Sequence, residues 1–534
     1  MNKKVISALA LPALALANTS VASNNGVKKG ARPNIIYLMF DDAGYGDFGC
    51  FGQKKIETPN IDALSQIGIR FSDMYCVCPI SAPSRCGLMT GRNAGHMQIR
   101  ANENVVPERL EVLHWDIAPG MADSTKEGQY PLLAGTPTLA TAMKSAGYKT
   151  AMIGKWGLGG PATDAAPNKM GFDYFFGFNC QMEAHFYYPP YLWENDKRVW
   201  LDNKYIYRDT PLDEGADPRD VRSYAKYTQN TYSPDIMFER LTNFVNDNAN
   251  NPFFLMWTTT VPHSAVQAPL DEVLHYVDKL GDEEPIKGES YYPCRYPHAT
   301  YAAMITHIDT QLGKLVAQLK RLGIWDNTVI IVTSDNGPAN NSNSPLEYFH
   351  SGGAFKCGKG WGKSSLHEGG IRMPFIVAWG DKLKDTYQAH ESALTGLPKG
   401  GSVTGYHGLF CDLMPTFCEM AGAKCPETDG VSFLPVLQGK EKQRHPYLYW
   451  EYPRAGGWAG VRWQQWKGFV KKVIKGNDEF ELYDLSKDPR EQHNVAAQHP
   501  EIVKAMWKMV NKEHTTPAEP LFDMKLPATV KPMP

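Results

Sequence analysis

Past residue 17 the sequence has no apolar run that could span a bilayer, which takes about 20 consecutive residues, so no membrane span is expected. It also lacks an excess of either charge: 55 Lys+Arg against 57 Asp+Glu leave a formal net charge of -2 over 534 residues. A chain so balanced exerts no global pull on nucleic acid or acidic membranes, and any electropositive site must be local. Cysteine is sparse. Ten in this length permit a few disulfides but not the dense framework of small secreted domains. Cys76, Cys78 and Cys86 lie close together, yet no CxxC or HxxxH pair follows at finger-like spacing, which argues against a zinc site built on them. No internal repeat is present.

The apolar run that does exist lies at the start. "MNKKVISALALPALALANTSVAS" sets Lys3 and Lys4 before Val5 to Ala17 and ends that run in Ala15-Leu16-Ala17, a small-x-small cleavage pattern. Residues 1–23 therefore read as a secretory signal, without a cysteine at a lipoprotein position, and the expectation is a bacterial protein exported to the periplasm or secreted.

Four later segments share one pattern, a β-branched apolar run that stops at a polar cluster: "NIIYLMFDD" from Asn34, "KTAMIGKWG" from Lys149, "PFFLMWTTTVPH" from Pro252 and "NTVIIVTSDNG" from Asn327. Continuous apolar runs predict strands buried on both faces, as in a parallel sheet. Helix signals alternate with them. Thr136-Pro137 reads as an N-cap and first-turn proline with Gly147 closing that helix, and Ile305, Ile308, Leu312, Leu315, Val316 and Leu319 recur at helical spacing before Gly323. The fold class is therefore α/β, a large, mostly parallel sheet flanked by helices, expected over residues 30–440. From 441 to 534 aromatic-rich segments such as "HPYLYWEYP" and "FELYDLSKDP" predict a smaller α+β subdomain on a short antiparallel sheet, with a terminal helix near Ile502 to Asn511. Gly352 to Lys363 and Gly400 to Gly405 read as exposed connections.

Asp41 and Asp42, Lys155, His263, and Asp335 with Asn336 all follow the carboxyl ends of these strands, the edge where open α/β sheets bind ligands. Asp41, Asp42, Asp335 and Asn336 offer only oxygen donors, which suit a hard cation such as Ca²⁺ or Mg²⁺. With Arg85, Lys155, Lys363 and His263 nearby, the set suits a small tetrahedral oxyanion, sulfate or phosphate. Ser81 opens a helix with Pro83 in its first turn, the positive end of its dipole toward this site. On helix chemistry alone Ser81 serves equally well as an N-cap.

Ser81-Ala82-Pro83-Ser84-Arg85 followed by Leu88-Met89-Thr90-Gly91-Arg92 resembles the signature of the type I sulfatases, whose first-position Cys or Ser is oxidised to formylglycine (3-oxoalanine). Matching segments run in family order from Pro33 to Asn494, among them "DDAGYGD", "GKWGLG", "SDNG", "HEGGIRMP" and "LYDLSKDPREQHN". The resemblance implies an alkaline phosphatase-like fold and one calcium ion per chain, with Mg²⁺ the alternative, held by Asp41, Asp42, Asp335, Asn336 and the modified Ser81. It implies that the hydrated aldehyde attacks sulfur and leaves a sulfated hemiacetal that expels sulfate. Arg85 would stabilise the hydrate, Lys155 and Lys363 would grip sulfate oxygens, and His263 would protonate the leaving alcohol. A serine precursor implies a radical iron–sulfur maturation enzyme acting before export.

The family's commonest form has a histidine two residues after the lysine, where this chain has Lys155-Trp156-Gly157; His185 is the candidate replacement. For a sulfated carbohydrate substrate, candidate contacts are His96, Arg100 and Asn102 near the nucleophile helix, and Glu451, Arg454, Trp458 and Arg462 in the smaller subdomain. Two other readings are a phosphomonoesterase or phosphonate hydrolase of the same superfamily, and a silent sulfoglycan-binding protein in which Ser81 stays unoxidised.

Overall fold

Seven consecutive residues of β1 (Asn34–Phe40) are buried, which is why the sequence shows no polar alternation there: both faces of this strand are covered. The computed structural model describes residues 32–103, 117–288, 290–340, 345–383, 401–440 and 445–534; the expected signal, 1–23, and the start of the expected subdomain at 441 lie outside them. Around β1 the strands β2 (Ile69–Tyr75), β3 (Lys149–Lys155), β4 (Tyr174–Phe178), β5 (Tyr191–Glu194), β6 (Lys197–Trp200), β7 (Phe253–Thr258), β8 (Thr328–Ser334), β9 (Arg372–Trp379) and β10 (Ser402–Thr404) are ordered β10-β2-β9-β8-β1-β7-β3-β4-β5-β6, and β11 (Gly408–Leu409) also pairs with β2. The centre, β8-β1-β7-β3-β4, is parallel, while β9 runs against both β8 and β2.

Two expectations are corrected. The helix Leu139–Ser145 is capped by Thr138, not Thr136, because the Thr138 and Thr141 side chains each bond the other's backbone N–H; Thr136 instead donates to the Leu133 carbonyl. Within the stretch from Gly400 to Gly405, Ser402–Thr404 is strand β10, ordered by pairing with β2. The long helix Pro297–Arg321 and the terminal helix Pro500–Glu513 form where the periodicity placed them.

A second sheet follows in the order β12 (Leu448–Tyr452), β13 (Trp458–Trp463), β14 (Trp466–Lys471), β15 (Glu479–Asp484) and β16 (Lys531–Pro532), antiparallel but for its last pair. Residues Arg32–Pro534 form one compact unit, and a single apolar cluster runs from Phe71 and Tyr75 of β2 to Trp450 and Val461. Fully burying each such side chain contributes about 1.5–3 kcal/mol. Polar bonds add register: the Trp450 Nε1–H donates to the Cys76 carbonyl at 2.8 Å, and Lys467 reaches Glu368 at 2.9 Å.

His307, buried on the long helix, lies between Glu272 (2.8 Å) and Asp235 (2.9 Å) of two neighbouring helices. Burial alone would lower its pKa, but the two carboxylates raise it from 6.5 to about 9. The folded state therefore holds this proton more tightly than the unfolded chain, so the stabilisation is complete below pH 6.5 and lost as pH rises through 9. With the exposed carboxylates screened, the loss is about 1–2 kcal/mol. Denaturant titrations across that window are expected to show it in the wild type and not in His307→Gln; parallel profiles would remove the ion pairs from the account.

Candidate functional site

Parallel strands place the polar clusters side by side. Asp41 and Asp42 follow β1, Asp335 and Asn336 follow its neighbour β8, Lys155 ends β3, and His263 lies on the loop after β7. Ser81 begins the helix Ser81–Thr90, but Ile80 occupies the N-cap position and the Ser81 hydroxyl caps nothing; it lies 3.2 Å from Asp41 Oδ1 and 3.3 Å from Asn336 Oδ1. One turn on, Arg85 donates from Nε and Nη2 to Asp335 Oδ2 at 3.1 and 2.8 Å, and from Nη1 to the Lys155 carbonyl at 2.8 Å. Lys155 Nζ donates to Asp41 Oδ2 at 2.5 Å, and Lys363 Nζ to Asp42 Oδ2 at 2.8 Å. Asp42 adopts φ 68°, a left-handed conformation costly for a side chain with Cβ, while its backbone N–H donates to Asp335 Oδ1.

Apart from Lys363, whose side chain is 15% exposed, these groups are almost wholly removed from water, so their charges are set by one another. Burial would raise Asp41, but Lys155, His263, Arg85 and Lys363 hold it far below the usual carboxylate range. Asp335 is raised by burial and by Asp41. Burial lowers Lys155 despite Asp41, whereas Lys363, which burial would also lower, is raised by Asp42 and Asp41. Burial and Lys363 push His263 down to about 4. Its Nδ1 lies 2.5 Å from the Ser264 carbonyl, so Nε2 faces Asp42 at 3.5 Å. His185 stacks on His263 with centroids 4.5 Å apart and planes 6° off parallel, and burial followed by His263 drives its pKa well down.

The donor set fits a hard divalent cation. Ligand atoms of Asp41, Asp42 and His263 lie within 4.8 Å of one another, and Asp335, Asn336 and Ser81 add further oxygens. The ammonium groups of Lys155 and Lys363 rest on the same carboxylates, the positions that positive charge is drawn to.

A cavity of about 480 Å³ opens over Ser81, lined by Asn102, Lys155, His185, His263 and Lys363 among others. Of the seven predicted substrate contacts only Asn102 lines it, and its Oδ1 accepts the Ala82 N–H at 2.9 Å. The other six are placed elsewhere. Arg100 and Glu451 form a buried ion pair between the segment after helix Ser81–Thr90 and β12, joined by His514 at 2.7 Å from Glu451. His96 pairs with Asp429, Arg454 with Glu103, and Trp458 packs on His367 and Phe469. Arg462 bonds Asp73 at 2.7 Å beside a different cavity. Gln181, Tyr291, Asn340 and Lys359 line the Ser81 cavity without having been predicted. Lys359 alone had a signal, its place in the Gly/Lys-rich loop after Gly352.

The family model "Sulfatase" matches residues 33–423, and "N-sulphoglucosamine sulphohydrolase, C-terminal" matches residues 359–516. The chain is 29% identical to an N-acetylgalactosamine-6-O-sulfatase of Bacteroides thetaiotaomicron over 95% of its own length and 98% of the relative's. It is 30% identical to the N-acetylgalactosamine-6-sulfatase of Homo sapiens, covering 78% of this chain and 68% of the other. Among solved structures, Ps i-CgsB in complex with k-i-k-neocarrahexaose gives a TM-score of 0.66 at 26% identity, covering 94% of this chain and 95% of that one. The phosphonate monoester hydrolase of Agrobacterium radiobacter shares the fold at a TM-score of 0.56 and 18% identity, covering 90% and 95%.

Calcium or magnesium added to chelator-treated protein is expected to raise the melting temperature by a few degrees, since a ligand at about 100 times its dissociation constant stabilises by about 2.7 kcal/mol. Asp335→Asn should weaken the effect strongly. An unchanged melting curve in both proteins would reject the cation site.

Proposed function

The chain belongs to the sulfatase family and is a sulfuric ester hydrolase, and we propose that it removes O-sulfate from a carbohydrate by way of a formylglycine at Ser81. The observation that carries this reading is the Ser81 side chain itself: at the head of its helix, it turns away from capping to face Asp41, Asn336 and a cavity walled by Lys155, Lys363 and His263. Relatives named for N-acetylgalactosamine 6-sulfate and N-acetylglucosamine 6-sulfate support a sugar as the alcohol.

Oxidised and hydrated, Ser81 supplies two hydroxyls on one carbon, one to attack sulfur and one whose lone pair later expels sulfate, the step an ordinary serine ester lacks. A calcium ion held by Asp41, Asp42, Asp335 and Asn336 would supply positive charge against the charge that grows on the sulfate oxygens. Arg85, clamped by Asp335 and the Lys155 carbonyl, holds the hydrate's surroundings rigid. Lys155 and Lys363 stand on Asp41 and Asp42 within reach of a sulfate placed over Ser81. His263 presents Nε2 to the cavity and gives the departing alcohol its proton; a bound sulfate ester raises its low proton affinity, and His185, stacked flat on the ring, fixes its plane. The segment 1–23 supports export, with Ser81 oxidised beforehand by a radical iron–sulfur enzyme.

Protein from its native host is expected to yield a Ser81 peptide lighter by about two hydrogens, as oxidation of an alcohol to an aldehyde requires. It should release sulfate from at least one member of a panel of sulfated mono- and disaccharides. Ser81→Ala should abolish release, and His263→Ala should lower kcat by about 10²- to 10⁴-fold. Active protein carrying an unmodified Ser81 would overturn the formylglycine route.

A further inference from the structure

A second cavity, about 780 Å³ and the larger of the two, is lined by Tyr45 and Gly46, a few residues past the end of β1 where Asp41 and Asp42 lie. Ser72 and Asp73, at the irregularity within β2 between Phe71 and Met74, and Arg372, at the start of the oppositely directed β9, line it. Four cations line it, Lys54, Lys55, Arg372 and Arg462, against a single acid, Asp73. Asp73 is spent on the arginines, at 3.0 Å from Arg372 and 2.7 Å from Arg462, so the lysines are left to dominate the field in the opening. Lys55 is held over the Tyr348 ring, 3.4 Å from its centroid, and the exposed Lys54 has no acidic partner among the described residues.

The other walls suit a sugar. Tyr45 meets Phe51 and Phe355 edge-on at 4.8 and 4.9 Å, forming an aromatic surface at one side. Opposite it the two-residue connection between β13 and β14 brings in Gln464 and Gln465, whose exposed side-chain amides make no hydrogen bond among the described residues. Gln464 sits at φ 57°, where a tight hairpin ordinarily uses Asn or Gly. Aromatic walls with a few free polar groups are the usual make-up of a small-molecule site.

One loop contributes to both cavities. Phe349, His350 and Gly353 to Phe355 line this one, and Lys359, Gly360, Lys363 and Ser364 of the same loop line the other. Only three residues lie between Phe355 and Lys359, so the Cα atoms of these two are at most about 14 Å apart, within the reach of a short oligosaccharide. Resting on the carbohydrate reading above, we propose that this cleft binds an acidic stretch of the saccharide chain whose sulfated residue is held over Ser81.

The test uses the full-length protein and the double variant Lys54→Glu, Gln464→Ala, both positions exposed, with its melting temperature checked against the wild type. In the Ser81→Ala background, a chondroitin 6-sulfate hexasaccharide is expected to protect the peptides covering residues 53–55 and 462–466 from hydrogen exchange, and the double variant to lose that protection. In active protein the double variant should raise KM for the hexasaccharide about fivefold while leaving kcat/KM for N-acetylgalactosamine 6-sulfate unchanged. No protection at either segment, or an equal loss on both substrates, overturns the proposal. Failure to release sulfate from any saccharide would defeat the carbohydrate reading instead, and the exchange experiment would still decide the cleft.

Discussion

Everything near the site depends on how three carboxylates are kept together out of water. Parallel pairing of β1 with β8 forces Asp41, Asp42 and Asp335 to one spot, where their mutual repulsion is barely screened and each buried charge costs several kcal/mol in lost hydration. Arg85, Lys155 and Lys363 answer them, each delivered by a different segment. Removing any one leaves a buried charge unbalanced, so the cluster acts as a clasp on the helix Ser81–Thr90, the ends of three strands, β1, β3 and β8, and the loop that carries Lys363.

The parts of this arrangement that could be read from sequence are those where local pattern and global position coincide. A buried strand writes itself as an unbroken apolar run, and the residue after the run is by necessity at the sheet edge, so Asp41, Lys155 and Asp335 were legible as neighbours although far apart in the chain. Where two local signals compete, the pattern is mute: Thr136 and Thr138 both precede the helix, and only the reciprocal bond with Thr141 selects the second. Ser402–Thr404 is too short to announce itself and becomes a strand through its partner. Arg100 and Glu451 looked like groups for a ligand because nothing in either neighbourhood reveals a partner 351 residues away. Tyr291 and Gln181 reach the cavity from irregular loops, which carry no periodicity to read.

Gly157 shows the same limit from the other side. Its φ of 75° is one that residues with a side chain rarely adopt, and a Cβ built there would meet nothing closer than Arg85 Cδ at 3.9 Å. A Cβ would thus fit in space though not in backbone conformation, and the imidazole that lines the cavity beside His263 comes from the 3-10 turn Glu183–His185, stacked on His263.

The depth of Ser81 has a consequence in time. The residue is 1% exposed, every residue of its helix is buried, and its neighbours on the far wall, Asp335 and Asn336, are made some 250 residues later in the chain. Another enzyme cannot bring its own catalytic centre to a side chain so enclosed. The formylglycine proposed at Ser81 would therefore have to form before those later segments close over it, and contacts of long sequence separation, which slow folding, would lengthen that interval.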